Sequence, residues 1–228
     1  MSNNRAPVLD PRLTAAADLV RPGRPAADVG CDHGKLTAFL LCENRVPHVI
    51  ATDLRPGPLA KAAETLRRCG CEDRAELRLG DGLSVLSPGE ADSVIIAGVS
   101  AETAIQICEA APWLKKQEGP RLIFVPATRH GRLRAWLAEN GFCLAEDRPV
   151  QAAGRWYAVM AAEYTGEPRT LSVREAILGG TERYGAAGRE YAAWQRAKLR
   201  KVRLGLAADD DQGRQIDAIL AEEEGASL

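Results

Sequence analysis

What most constrains this chain is an alternation. Short apolar runs rich in β-formers recur between segments of helical periodicity, from the N-terminus to about residue 165. The runs are Ala26–Val29, Val49–Asp53, Ala75–Leu79, Ser93–Ala97, Arg121–Val125 and 156–161, with helical patterns at 11–20, 34–44, 57–69, 101–110 and 130–140. Three of the runs are almost continuously apolar, as a strand must be when helices cover both faces of its sheet. The order predicts an α/β protein built on a doubly wound sheet.

Thr165-Gly166-Glu167-Pro168 is turn chemistry, and no strand pattern follows it. Tyr191, Trp194, Leu199, Val202 and Leu206 fall near helical spacing. Residues 189–203 carry six basic side chains and one acid, whereas the stretch from Ala207 onward carries seven acids and one arginine. Gly205 and Asp209-Asp210-Asp211 read as a break followed by a helix start. The expected division is residues 1–165 as one α/β domain and 166–228 as a helical appendage, a hairpin or coiled-coil-like unit.

Composition narrows the function classes. With 228 residues, 46% hydrophobic and 27% charged, the chain is globular and not disordered. A net charge of −1 disfavours a protein that coats nucleic acid, but leaves room for a local basic patch. No apolar run approaches the roughly 20 residues that cross a bilayer, so no membrane role is expected. The N-terminus has no hydrophobic signal core, so a cytoplasmic protein is expected. Six cysteines without a CxxC pair, and three histidines, give no zinc spacing; reduced thiols and no metal are expected.

The informative segment is Asp28-Val29-Gly30-Cys31-Asp32-His33-Gly34, where the first strand turns into a helix. Doubly wound folds bind nucleotide cofactors at such strand ends. A dinucleotide fingerprint needs a glycine where this chain has Asp32, because pyrophosphate must approach the backbone there. A carboxylate repels a phosphate and attracts a cation. S-adenosylmethionine (SAM) carries a sulfonium and an ammonium but no phosphate, so the acids suit it. Asp32 or His33 can also simply cap the helix that follows. Asp53 ends the second strand, where a carboxylate accepts both ribose hydroxyls of an adenosine moiety. Asp81, between Gly80 and Gly82 after the third strand, can accept from an adenine amine or form an ordinary Asp-Gly turn.

Taken together, Arg12-Leu13, Asp28-Val29-Gly30-Cys31-Asp32-His33, the run 51–59, Arg78-Leu79-Gly80-Asp81-Gly82-Leu83, Ile95-Ile96-Ala97-Gly98, the run 133–137, Gly141-Phe142 and Gly154-Arg155-Trp156-Tyr157 resemble the bacterial tRNA (adenine-22-N1)-methyltransferase family. The resemblance implies a Rossmann-like class I methyltransferase fold with a helical tail, SAM as cofactor and tRNA as partner, in a monomer or weak dimer. It places Asp28, Gly30, Asp32 and His33 at the methionine part of SAM, Asp53 at the ribose, and Asp81 and Gly82 at the adenine, with Leu54 a further cofactor-binding residue. Ala97 and Gly98 would end the fourth strand at the reacting centre. Arg12, Asp32 and Gly98 are the implied catalytic residues.

The chain departs from the family where Met-Gly-Gly is replaced by Val99-Ser100-Ala101, where aromatic-Leu-Pro is Lys35-Leu36-Thr37, and where Gln-Pro is Val125-Pro126. Side chains at 100 and 101 would narrow the entry for a target base or forbid a backbone with φ > 0. The departures keep two further readings open: a SAM- or RNA-binding paralogue without catalysis, and a methyltransferase on another substrate. Two basic clusters are candidate RNA contacts. One is Arg129, Arg132 and Arg134 around His130. The other is Arg196, Lys198 and Arg200 on the basic helix, whose charges can alternatively pair with the acidic terminal segment.

Overall fold

The computed structural model describes residues 5–207 and 210–225. Seven strands form one sheet: β1 (Ala26–Val29), β2 (Val49–Asp53), β3 (Ala75–Leu79), β4 (Ser93–Ala97), β5 (Arg121–Val125), β6 (Phe142–Ala152) and β7 (Arg155–Tyr164). Their spatial order is β3-β2-β1-β4-β5-β7-β6, with β1 to β5 parallel and β7 antiparallel to both its neighbours, β5 and β6. Helices α1 (Pro11–Ala17), α2 (Lys35–Cys42), α3 (Pro56–Cys69), α4 (Ala101–Glu109) and α5 (His130–Glu139) flank the sheet. The two faces carry separate cores. One is built around Val94, Ile96, Leu122 and Phe124, the other around Val49, Ile95, Ile123 and Val125. Alternate residues of β4 and β5 therefore point to opposite cores, which explains why those runs read as continuously apolar.

β6 does not stand out in the sequence. Its stretch carries Glu146-Asp147-Arg148 and Pro149, which read as a loop. It is the edge strand, where proline is tolerated, and it is held by the hairpin to β7. Ala153 and Gly154, both with positive φ, make the tight turn between them.

Beyond the sheet lie α6 (Val173–Leu178), α7 (Gly185–Arg203) and α8 (Asp211–Gly225). α7 and α8 pack as a hairpin, with Ile219 against Ala192 and Leu178 and with Arg203 Nε 3.0 Å from the Asp217 carboxylate. Asp209 lies outside the described residues. α7 is seated on the α/β body through Tyr191, which is fully buried within the core formed by β4 and β5. Among the described residues no helix is long and apolar enough to cross a membrane.

The junction corrects one expectation. Arg134, expected from its neighbours to contact RNA, has a side chain that is 0% exposed. It lies one helical turn from His130 on the inner face of α5. Nε and NH2 donate to the two oxygens of Asp147 on β6 at 2.8 and 3.0 Å, and NH1 donates to the carbonyls of Ala176 and Ile177 at 3.0 Å each. The Tyr191 hydroxyl accepts from Arg134 and Gln195 and meets His130 Nδ1 at 3.0 Å. Burial, then the charges of Arg134 and Lys198, push the His130 pKa down to about 3, so the ring is neutral and its Nδ1 accepts a hydrogen bond from the Tyr191 hydroxyl. Gly179 closes the network with φ +65°; a Cβ there would collide with the Asp147 carboxylate and the Arg134 guanidinium.

Candidate active site

Strand order reverses between β1 and β4, so their carboxyl ends part and leave a crevice. A cavity of about 790 Å3 opens there. The first β-turn-helix unit shapes one wall. Gly30 (φ 74°), Asp32 (φ 50°) and Gly34 (φ 66°) all take left-handed conformations, folding five residues into a compact loop between β1 and α2. A Cβ on Gly34 would press within 2.9 Å of Ala62 on α3, so this loop packs tightly against the next helix.

Asp28 is 3% exposed and Asp53 is 8% exposed; they are the buried charged residues of the cavity wall among the described residues. Thr37 donates its hydroxyl to Asp28 at 2.7 Å. The departure at residues 35–37 thus supplies a partner for a carboxylate that otherwise has little solvation. Burial raises the Asp28 pKa to about 6; the Thr37 bonds oppose the rise and the charge of Asp53 adds to it. Asp53 accepts from the backbone N–H of Asp32 at 3.3 Å and of Arg55 at 2.9 Å, which ties the end of β2 to the glycine loop. The Asp32 carboxylate is instead 72% exposed and stands 3.6 Å from His33 Nε2. Cys31 sits among these acids, and burial, then Asp28 and Asp53, push its thiol far up, which makes it inert as a nucleophile.

The opposite wall comes from the N-terminal segment. Asp10 caps α1 through the N–H groups of Arg12 and Leu13 and pairs with the Arg12 guanidinium at 2.7 Å. That guanidinium lies over the Tyr157 ring, 4.7 Å from its centroid. The Asp10 carboxylate is therefore committed to its own helix.

Of the residues singled out by sequence, Arg12, Asp28, Gly30, Asp32, His33, Asp53, Ala97 and Gly98 line this one cavity. Leu54, Asp81 and Gly82 do not. Leu54 is turned outward and 65% exposed, and the Asp81–Gly82 turn sits beyond Asp53, with the Gly82 carbonyl accepting from Thr52 at 3.4 Å. Val8 and Leu9 also line the wall; they precede a short helix and carry no sequence signal of a site, whereas Leu13 beside them belongs to the Arg12-Leu13 match. Tyr157 belongs to a sequence motif, but its role under Arg12 comes from the β6–β7 hairpin.

The three departures beside the fourth strand resolve into different roles. Of the three, only Val99 faces the cavity. Ser100 (φ −69°) caps α4 by accepting from the Thr103 N–H, and Ala101 is fully buried in its first turn. Neither side chain obstructs the cavity and neither position needs positive φ; Gly98 does, at φ 79°. The expectation of a narrowed entry is thus corrected for these two residues. Restoring glycine at both should lower stability by about 1–2 kcal/mol through the lost cap and the flexible helix turn. Thermal unfolding checks this; an unchanged Tm would show that Ser100 and Ala101 do not hold the start of the helix.

Strand order and an acid-rimmed crevice at the β1/β4 switch define the class I methyltransferase architecture. The chain belongs to the methyltransferase-domain family, whose model matches residues 9–160. It is 31% identical over 156 residues to the tRNA (adenine(22)-N(1))-methyltransferase of Bacillus subtilis, a match covering 68% of this chain and 65% of that one, just under two thirds of the relative. The crystal structure of the B. subtilis M1A22 tRNA methyltransferase TrmK superposes with a TM-score of 0.76 at 25% identity, covering 95% of each chain. The M. capricolum TrmK structure, in complex with S-adenosyl-homocysteine, has the same fold at TM-score 0.78 and 18% identity, covering 97% of this chain and 98% of that one.

Proposed function

We propose that this chain is a SAM-dependent methyltransferase that methylates N1 of an adenine in tRNA, working in the cytoplasm as a monomer or weak dimer. The observation that carries the reading is the burial of Asp28 and Asp53 in one cavity whose other buried wall residues are uncharged. Such a wall suits an ammonium and a pair of ribose hydroxyls and opposes a diphosphate. Asp28 is the partner for the ammonium and Asp53 for the ribose. The exposed Leu54 and the adjoining turn with Asp81 and Gly82 are the residues for the adenine. The relative from B. subtilis, a tRNA (adenine(22)-N(1))-methyltransferase, and the similar fold solved with S-adenosyl-homocysteine support SAM as the cofactor.

When bound, SAM supplies an activated methyl group. Adenine N1 has an in-plane lone pair and needs no general base, so the protein's task is alignment. Gly98, just after β4, lines the cavity without a side chain, and its φ of 79° strains any larger residue there. Methylation leaves a positive charge on the adenine. Of the two wall carboxylates that meet water, Asp10 is paired with Arg12, whereas Asp32 is the more exposed and is the group suited to stabilise that charge.

Incubation with labelled SAM and unmodified tRNA, followed by nucleoside mapping, should place the label in 1-methyladenosine. Label in another nucleoside or in protein would overturn the substrate. Asp53→Ala should weaken SAM binding about ten- to hundredfold, the usual cost of deleting a buried hydrogen-bonded charge; unchanged affinity by calorimetry would remove the crevice assignment.

A further inference from the structure

A second cavity, of about 620 Å3, lies between the start of α5, the tip of the β6–β7 hairpin, α6 and α7. Its floor is apolar and includes Trp156, Trp194, Ile177 and Leu199. Its rim carries Arg129, Arg132, Arg155 and Lys198, and no acid lines it among the described residues. For a chain of net charge −1, four cations converging on one groove without a lining carboxylate is a strong local bias. Arg129 also bonds Glu102 at 2.9 Å, from outside the groove. Lys198 Nζ sits over the Trp194 ring, 4.0 Å from its centroid, and partial burial, then Arg155, lower its pKa. An indole and a cation side by side offer a stacking face and a phosphate partner together.

The groove shares a wall with the active-site cavity. Tyr157 lines the groove while its ring carries Arg12, which lines the active site. Ala127 of the groove donates its N–H to the Val99 carbonyl at 2.8 Å, and Val99 faces the other cavity. The two cavities therefore adjoin across Tyr157 and the Val99–Ala127 hydrogen bond.

We infer that this groove is a second RNA subsite, which takes an unpaired nucleotide continuous with the target, its base against the Trp194–Trp156 floor and its phosphates on Arg132, Arg155 and Lys198. The inference rests on the tRNA reading above. It divides the six basic residues that the sequence offers as RNA contacts in a new way. Arg129, Arg132 and Lys198 line the groove, Arg134 is buried, and Arg196 and Arg200 lie outside it.

Arg132, Arg155 and Lys198 all reach the surface, and circular dichroism checks that reversing all three to glutamate leaves the fold intact. In the full chain this triple variant should raise the KM for tRNA at least tenfold, leave SAM affinity unchanged, and flatten the plot of log affinity against log salt by about 2. A fluorescein-labelled pentaadenylate RNA should bind the wild type and quench tryptophan emission, with the quench reduced in Trp194→Phe. If the wild type methylates tRNA and the triple variant does so with wild-type KM and salt slope, the groove assignment fails and the function stands. If the wild type methylates no RNA yet binds the pentanucleotide with Trp194-dependent quenching, the function fails and the groove stands. Binding of labelled oligoglutamate with equal or greater affinity than the RNA overturns the ligand class in favour of an acidic protein.

Discussion

Asp147→Ala should destabilise the protein by about 3–5 kcal/mol, because it strands the Arg134 guanidinium in the interior without the carboxylate that neutralises it. For a chain of this length that corresponds to a fall in Tm of roughly 6–20 °C. The loss is local in origin. The pair joins α5 to β6 and, through the carbonyls of Ala176 and Ile177 and the Tyr191 hydroxyl, to α6 and α7. Limited proteolysis should therefore cut the variant first between α6 and α7, while the sheet survives. A double variant, Arg134→Met with Asp147→Leu, should recover part of the loss, since no unpaired charge remains but the two carbonyls and the tyrosine lose a donor. Equal Tm in Asp147→Ala and wild type would show that the pair is not what seats the helices.

Asp28→Asn should do the reverse to stability and still damage function. The folded chain holds the Asp28 proton to about pH 6, well above an ordinary carboxylate at 3.8. As pH rises between these values the folded state must release a proton it holds more tightly than the unfolded chain does, so stability declines over that window and the deficit is fully present above pH 6. It amounts to about 3 kcal/mol at most. Asparagine keeps an oxygen for the Thr37 hydroxyl and carries no charge to desolvate. The variant should melt roughly 5–10 °C higher at pH 8, with the gap closing below pH 4. SAM affinity should fall ten- to hundredfold. In the wild type that affinity should itself drop about tenfold per pH unit below 6, as the carboxylate is protonated, while the variant stays flat. A variant with wild-type melting and calorimetric affinity at pH 8 would mean that Asp28 neither costs the fold its charge nor meets the cofactor.

These two acids show how far a linear reading reaches. Asp28 was legible because a strand ending in Asp-x-Gly is a local pattern, and eight of the residues drawn from such patterns line one cavity. Asp147 was not legible. It stands in an acidic, proline-containing stretch whose only local meaning is a loop, and its strand exists because β7 folds back along it. Arg134 misled for the same reason: basic residues close together in sequence look like a patch, but a helix sends residues two apart to different faces. Arg132 is exposed and Arg134 is sealed in the interior. Ser100 and Ala101 looked like obstacles until the backbone showed them turned into the start of α4.

The sequence by itself determined six of the seven strands, the covered faces of the central ones and the acids at the switch point, because hydrophobic period and strand-end chemistry are carried by neighbouring residues. Only the tertiary structure decided which arginines meet water, that the N-terminal segment walls the cavity, and that two basic clusters some 60 residues apart in the chain, at Arg132 and Lys198, frame one groove. Those outcomes depend on which faces α5, α7 and the β6–β7 hairpin turn toward one another, and packing between distant segments leaves no periodic trace in any one of them.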